Sequence, residues 1–206
     1  MENNIQEFLN ALASKAPTPG GGGAAGMAGS LAAALGSMVT NLTVGKKKYA
    51  EFTDELNAVL AKTEALRVEI LGFIDRDAEA FAPLAAAYGI PKDAPGRAET
   101  LEKALDVASA VPATLLEKLG ELPAILERLT VIGSKLAVSD VGCAAELCRA
   151  AAGCAALNVY INTKLMTDKD RAALMNARTD ALLADIETRC EAVAGLVRKK
   201  VKGEAK

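Results

Sequence analysis

Apolar residues recur three and four positions apart along almost the whole chain, the spacing that lines one face of an α-helix. No strand-length run alternates apolar with polar, and no Asn-Gly dipeptide marks a hairpin. The pattern predicts about seven helices. A short one covers Ile5 to Ser14. A second, built of small residues, runs from Ala24 to about Leu42 and is entered through the loop Ala16 to Gly23. After a turn at Thr43 to Lys48, a long helix extends from about Phe52 to Tyr88. Glycines and prolines between Gly89 and Gly96 end it. Helices follow at Ala98 to Leu119, bent or interrupted near Pro112, and at Pro123 to Val138, where the proline suits the first turn. Ser139 or Asp140 caps a helix that reaches Met166. Thr167, with Asp170 three residues on, resembles the start of the last helix, which ends near Val201. Three of these helices are roughly 40 Å long. Long helices joined by short turns predict an all-α, elongated up-and-down bundle in a single domain spanning 1–206.

The pattern breaks at three places. Val59, Thr63, Leu66, Ile70, Phe73, Phe81 and Leu84 keep a core stripe, and Asp77 falls in the middle of it. An unpaired buried charge is expensive. Asp77 therefore has a partner, in a buried salt bridge or as a cap on a neighbouring helix, or it lines a ligand site. In the following long helix, Asp140, Ala144, Leu147, Ala151, Ala155, Asn158 and Asn162 share one side and form a groove of small residues with polar ends. Asp140 and Asn158 lie roughly 27 Å apart along that axis, so they cannot touch the same atom. Asn158 and Asn162 are one turn apart and can act together, on a ligand or across a helix interface. Asp140 by itself reads as a cap of its own helix. The third break is Pro17-Thr18-Pro19-Gly20-Gly21-Gly22-Gly23, whose glycines let backbone N–H groups converge on an anion or carbonyl at a helix start. It is neither a Walker A loop nor a dinucleotide fingerprint. Downstream, Lys46, Lys47 and Lys48 gather positive charge at a turn, either simply solvated or attracting a phosphate or polycarboxylate.

Composition narrows the chemistry. The chain has 206 residues, 51% hydrophobic but only 3% aromatic, with no Trp and no His. Acid–base work must fall to Asp, Glu, Lys, Tyr or Cys, and His-based triads and zinc sites are excluded. A net charge of −2 gives no global attraction to nucleic acid, and the basic C-terminal end reads as a solvated helix terminus. Residues 16–45 carry no charge, but their glycines, alanines and prolines argue for a buried, close-packed helix rather than a membrane span. Gly22, Gly26, Gly29 and Ala33 leave one side of it nearly bare. Together with Ala144, Ala151 and Ala155, this face suits a close helix approach and predicts a homodimer. The start Met-Glu-Asn-Asn-Ile-Gln-Glu is unlike a signal peptide. Cys143, Cys148, Cys154 and Cys190 contain no CxxC pair and read as reduced, mostly buried residues of a cytoplasmic protein.

Taken in order, five segments resemble the cyclodeaminase/cyclohydrolase family, that of the C-terminal domain of formiminotransferase-cyclodeaminase and of stand-alone methenyltetrahydrofolate cyclohydrolases. They are Pro17 to Gly22, Asn41 to Tyr49, Asp75 to Phe81, Ser139 to Gly142, and Asn158 to Asn162. The resemblance covers about residues 5 to 200. It implies an all-helical homodimer that opens 5,10-methenyltetrahydrofolate to 10-formyltetrahydrofolate, or closes it in reverse. The sibling activity, formiminotetrahydrofolate cyclodeaminase, releases ammonia and shares the cationic intermediate. From another class, a helical folate-binding protein without turnover remains open. The resemblance implies no metal and no cofactor beyond the folate substrate, which is expected to carry a polyglutamate tail. It points to Asp77, Lys46 and Asp140 for catalysis. Pro19, Gly20, Gly21, Gly22, Lys47, Tyr49, Asn158 and Asn162 are the candidates for substrate binding, with Tyr49, Phe81 and Tyr160 the rings nearest by motif for stacking a pterin.

Overall fold

The computed structural model describes residues 2–204. Among these the chain forms eight α-helices and no strand: α1 (Glu2–Leu12), α2 (Gly21–Asn41), α3 (Thr53–Leu71), α4 (Phe73–Tyr88), α5 (Arg97–Leu119), α6 (Leu122–Ile132), α7 (Val138–Thr163) and α8 (Lys169–Val201). They make the expected up-and-down bundle. Short 3-10 turns at Lys47–Phe52 and Lys135–Ala137 lead into α3 and α7.

The predicted helix Phe52 to Tyr88 is two helices. The break is at Gly72, a poor helix former, where α3 hands over to α4 through a right-handed residue (φ −63, ψ −15), whereas Pro83 is accommodated inside α4. Only α7 and α8 therefore reach the length expected of three. Pro112 does not interrupt α5, because the carbonyl it orphans finds another donor, described below. The sixth helix stops at Ile132 rather than Val138, since Gly133 turns extended (ψ 159). Neither Ser139 nor Asp140 caps α7. The helix begins at Val138, which places Asp140 in its first turn, where a carboxylate favours the dipole. The cap of α8 is Asp168, whose side chain accepts from the Arg171 N–H at 2.9 Å, one residue beyond the expected Thr167.

At the centre, α2 and α7 lie against each other, with α3 and α4 on the outer side of α2 and α5, α6 and α8 around α7. Ala32, Ala33, Ala144, Ala145, Ala151 and Ala155 are wholly buried. Gly29 shows why the residues are so small: a Cβ there would meet Leu119 Cδ2 at 2.5 Å and Ile70 Cγ2 at 3.0 Å. The bare faces of α2 and α7 are thus consumed inside one chain, and they do not supply a dimer interface. Larger leucines and isoleucines fill the surrounding layer, among them Leu56, Ile70, Leu116, Leu126 and Ile132. The uncharged helix α2 is long and apolar enough to cross a membrane by composition, yet most of it is inside the bundle, as expected. The cysteines divide evenly rather than being mostly buried: Cys148 and Cys190 are buried, while Cys143 and Cys154 are exposed.

Candidate functional site

The glycine run does not behave as a loop. Helix α2 begins at Gly21, three residues earlier than the small-residue pattern predicts, because neighbours occupy the space of the missing side chains. A Cβ on Gly22 would fall 2.1 Å from Asp77 Oδ1, and one on Gly21 would fall 2.9 Å from Asn158 Nδ2. The glycines therefore let α4 and α7 bring Asp77 and Asn158 onto the first turn of α2. Asp77 is half-buried there. Burial pushes its pKa above the usual aspartate value, and the backbone N–H of Gly23 partly offsets the rise. No basic side chain contributes. Among the described residues Asp77 forms no salt bridge, and its carboxylate instead takes a cap position at the first turn of α2, beside Gly22 and the Gly23 N–H. That cap position also exposes the carboxylate to a cleft.

The cleft holds about 210 Å³ and is lined by Asp77, Gly20, Gly21, Phe81, Tyr88 and Asn158, with Pro17, Thr18, Leu84, Ala108, Asn162, Ile161 and Leu165 completing its wall. Pro19 stands behind the lining, against Gly23. Gly22 is buried beneath the carboxylate. Positions 77, 81, 84 and 88 fall on one side of α4, so the ring of Tyr88 joins that of Phe81. Tyr88 continues the stripe that singled out Asp77, a signal the sequence contains. Tyr160 is turned away: its hydroxyl donates to Asp180 Oδ1 at 2.6 Å, and burial followed by that carboxylate pushes its pKa up to about 12.

The two asparagines differ. Asn162 spends both amide protons on backbone, donating to Ala108 O and Asn158 O at 3.0 Å each. Ala108 O is the carbonyl that Pro112, lacking an N–H, leaves without its helical donor. Asn162 therefore mends α5 from across the interface and offers a ligand only its oxygen. Asn158 donates once, to Cys154 O at 2.8 Å, and keeps a second proton and its oxygen for a ligand.

Lys46, Lys47, Tyr49 and Asp140 are not at this cleft. They lie at the other end of α2 and the start of α7, about 30 Å away along the helix. There Lys46 Nζ donates to Ser134 Oγ at 3.3 Å, and the Tyr49 hydroxyl accepts from the Lys135 N–H at 3.1 Å. That bond and the neighbouring Lys48 and Lys46 charges hold the Tyr49 pKa below its usual value, against the opposing effect of burial. A cavity of about 470 Å³ opens between Tyr49, Thr130, Lys135, Val138, Leu196 and Lys200. Among the described residues, no lysine of this basin takes part in an ion pair.

A family model described as formiminotransferase-cyclodeaminase matches residues 4–181. A methenyltetrahydrofolate cyclohydrolase of Methylorubrum extorquens is 41% identical over 201 residues, covering 96% of this chain and 97% of that protein. The chain belongs to this family. The formimidoyltransferase-cyclodeaminase of Mus musculus is 30% identical, but there the match covers 95% of this chain and 37% of that longer protein. Among solved structures, the formiminotetrahydrofolate cyclodeaminase of Thermotoga maritima superposes with a TM-score of 0.81 at 29% identity, covering 94% of this chain and 96% of that one.

Within this cyclodeaminase-family chain, the five motif segments fall into two groups. Pro17 to Gly22, Asp75 to Phe81 and Asn158 to Asn162 build the Asp77 cleft. Asn41 to Tyr49 and Ser139 to Gly142 sit at or beside the lysine basin.

Proposed function

We propose that this protein hydrolyses 5,10-methenyltetrahydrofolate to 10-formyltetrahydrofolate in the Asp77 cleft. One observation carries the reading: a half-buried carboxylate with no basic partner stands in a cleft of ring size beside two aromatic side chains. The bridging carbon of the substrate belongs to an amidinium-like cation, which the carboxylate attracts and orients. Asp77 takes a proton from water as the water oxygen bonds to that carbon. The bond from this carbon to N5 then breaks, its electron pair passing to N5, which takes up a proton while the new hydroxyl gives up its own and becomes the formyl C=O. The formyl group stays on N10, and overall one water is consumed and one proton released. An upward-shifted carboxylate is the better base for this step. Asn158 contributes a neutral donor and acceptor to the ring edge, and Phe81 and Tyr88 cover its face.

The Thermotoga relative favours a second reading, release of ammonia from 5-formiminotetrahydrofolate in the same cleft. Domain organisation does not divide the two, because this chain matches nearly the full length of both single-domain relatives. The 41% identity to the cyclohydrolase supports the first. We further propose that the chain works as a homodimer and that the lysine basin receives the substrate's polyglutamate tail. Purified protein given each substrate separately decides: decay of the methenyl absorbance without ammonia release from the formimino compound supports the cyclohydrolase. Ammonia release with a kcat/KM above that for methenyl hydrolysis replaces it with the cyclodeaminase. Binding without turnover of either overturns both.

A further inference from the structure

The cleft's volume of about 210 Å³ lies below the roughly 300–1,000 Å³ of sites that enclose a drug-sized ligand. It encloses a ring rather than a whole folate, so selection there falls to the polar atoms that meet the ring's edge. The seam between α5 and α7 supplies them. Ala108 on α5 and Asn162 on α7 both line the cleft. Pro112 lies one turn beyond Ala108, buried within α5 and outside the cleft lining. A prolyl ring acts twice on the residue four before it: it offers no N–H, and it pushes that residue's carbonyl away from the helix axis. In an unbroken ladder the Ala108 oxygen would be spent on the N–H of residue 112. Here it accepts from Asn162 Nδ2 at 3.0 Å, and a carbonyl oxygen has room for a second bond. Because the amide it meets belongs to a cleft side chain, its remaining lone pair lies at the cleft wall.

Asn162 is held in one orientation. Both its amide protons sit on carbonyls, Ala108 O and Asn158 O at 3.0 Å each, so turning the amide over would set oxygen against oxygen. Its Oδ1 is thereby fixed as an acceptor. Among the described residues no buried side-chain oxygen is left without a partner, and this one accepts no bond from the protein, so it is reached from the cleft. Ala108 O and Asn162 Oδ1 thus flank one amide nitrogen as a pair of acceptors. Asn158 adds a donor, the amide proton not spent on Cys154 O. The pyrimidine edge of a pterin is the converse: N–H groups at the 2-amino nitrogen and N3, then an acceptor at O4. We propose that Pro112 determines the ring specificity of this site: by denying Ala108 its helical donor it keeps that carbonyl for the ligand, so that Ala108 O and Asn162 Oδ1 receive the 2-amino group and N3–H while Asn158 Nδ2 meets O4. Pro112 touches no ligand and is a positioning residue that acts through Ala108. The inference rests on the Asp77 cleft holding the pterin of the substrate, as read above, and adds which edge enters and what selects it. A ring with a methyl in place of the 2-amino group leaves an acceptor facing carbon and is rejected.

Two substrates and two variants test it. 5,10-Methenyltetrahydrofolate and its 2-desamino-2-methyl counterpart share the reacting carbon and differ only at the pyrimidine edge. Wild-type kcat/KM is expected to favour the amino compound by about tenfold or more. Pro112→Ala returns an N–H to Ala108 O, and alanine is the better helix former, so the variant is expected to fold. Pro112→Val returns the same N–H while refilling more of the space of the buried ring, which separates the donor from the cavity. Both variants should bring the preference to within about threefold, through a higher KM for the amino compound alone and with kcat kept. A preference unchanged in either variant, or a loss that falls equally on both substrates, overturns the inference while leaving hydrolysis in the Asp77 cleft intact. A wild-type enzyme that turns over both compounds equally well does the same. A wild-type protein that turns over neither overturns the hydrolytic reading, and the inference with it.

Discussion

Replacing Asp77 by Asn keeps the side chain's shape and removes its charge, so it separates chemistry from architecture. Two contributions to stability change and a third is kept. The carboxylate's attraction to the N-terminal dipole of α2 is lost, which is worth about 0.3–1 kcal/mol and up to roughly 2 in a partly buried geometry. An amide oxygen in the same place still faces the Gly23 N–H, so that favourable contact is retained. The burial penalty of the charge disappears. The upward pKa shows that burial outweighs the favourable contacts of the ionised form. Asp77→Asn is therefore expected to match or exceed wild-type stability at neutral pH, within about 1 kcal/mol or roughly 4 °C in Tm. The linkage has a definite sign. With a raised native pKa, the folded state holds a proton that the unfolded state has released. Wild-type stability thus falls as pH rises from the ordinary aspartate value through the raised one, and Asp77→Asn loses that slope. Activity moves the other way, because the base must be ionised. Wild-type kcat/KM falls on acidification, with a limb above the usual aspartate pKa. The variant is slower by roughly 100- to 10,000-fold. Initial rates of methenyl absorbance loss and thermal melts on one preparation give both quantities. A variant that loses several kcal/mol yet turns over at full specific activity refutes the reasoning and leaves Asp77 as a structural cap.

Other outcomes follow from the same geometry. Gly22→Ala puts a methyl 2.1 Å from Asp77 Oδ1, so the carboxylate must leave its place; kcat is expected to fall at least about tenfold, the lower range for a displaced catalytic group, and full activity in a kinetic assay contradicts the contact. Asn162→Ala orphans the Ala108 carbonyl and should cost about 1–3 kcal/mol in denaturant unfolding. In a Pro112→Ala background, where the helical N–H returns to that carbonyl, the cost should shrink; an unchanged cost refutes the mending role. Lys46→Ala/Lys47→Ala should raise KM more for polyglutamylated than for monoglutamylated substrate, and rising salt should mimic it. Equal effects on both substrates, confined to kcat, would instead place a lysine in the chemical step.

The bundle was legible because the 3.6-residue period runs through nearly every segment, and Asp77 was legible because a carboxylate interrupts that period. Boundaries failed where tertiary contacts overrode local preference. Gly21 to Gly23 read as a loop but are helical, since α4 and α7 fill the space their side chains would need. Pro112 read as a bend, and only a donor 50 residues later in sequence, Asn162, explains why α5 stays continuous. The small-residue faces were recognised as close-packing surfaces, but sequence does not say whether the second surface belongs to the same chain or another. They meet each other. The same ambiguity kept Lys46, Tyr49 and Asp140 grouped with Asp77, although the length of α2 separates them within one chain. Tyr88 extends the Asp77 stripe by one more turn, but as the last residue of that helix its sequence position alone does not mark it as a site residue.

A crystal structure of the protein with a stable folate analogue bound tests the central claim most directly. The account predicts the pterin between Phe81, Tyr88 and Asn158, with its one-carbon unit and an intervening water within hydrogen-bond reach of the Asp77 carboxylate, successive contacts of about 3 Å. A pterin seated instead in the basin of Tyr49, Lys135 and Lys200, or in the apolar groove between Gly142 and Val197, would contradict it.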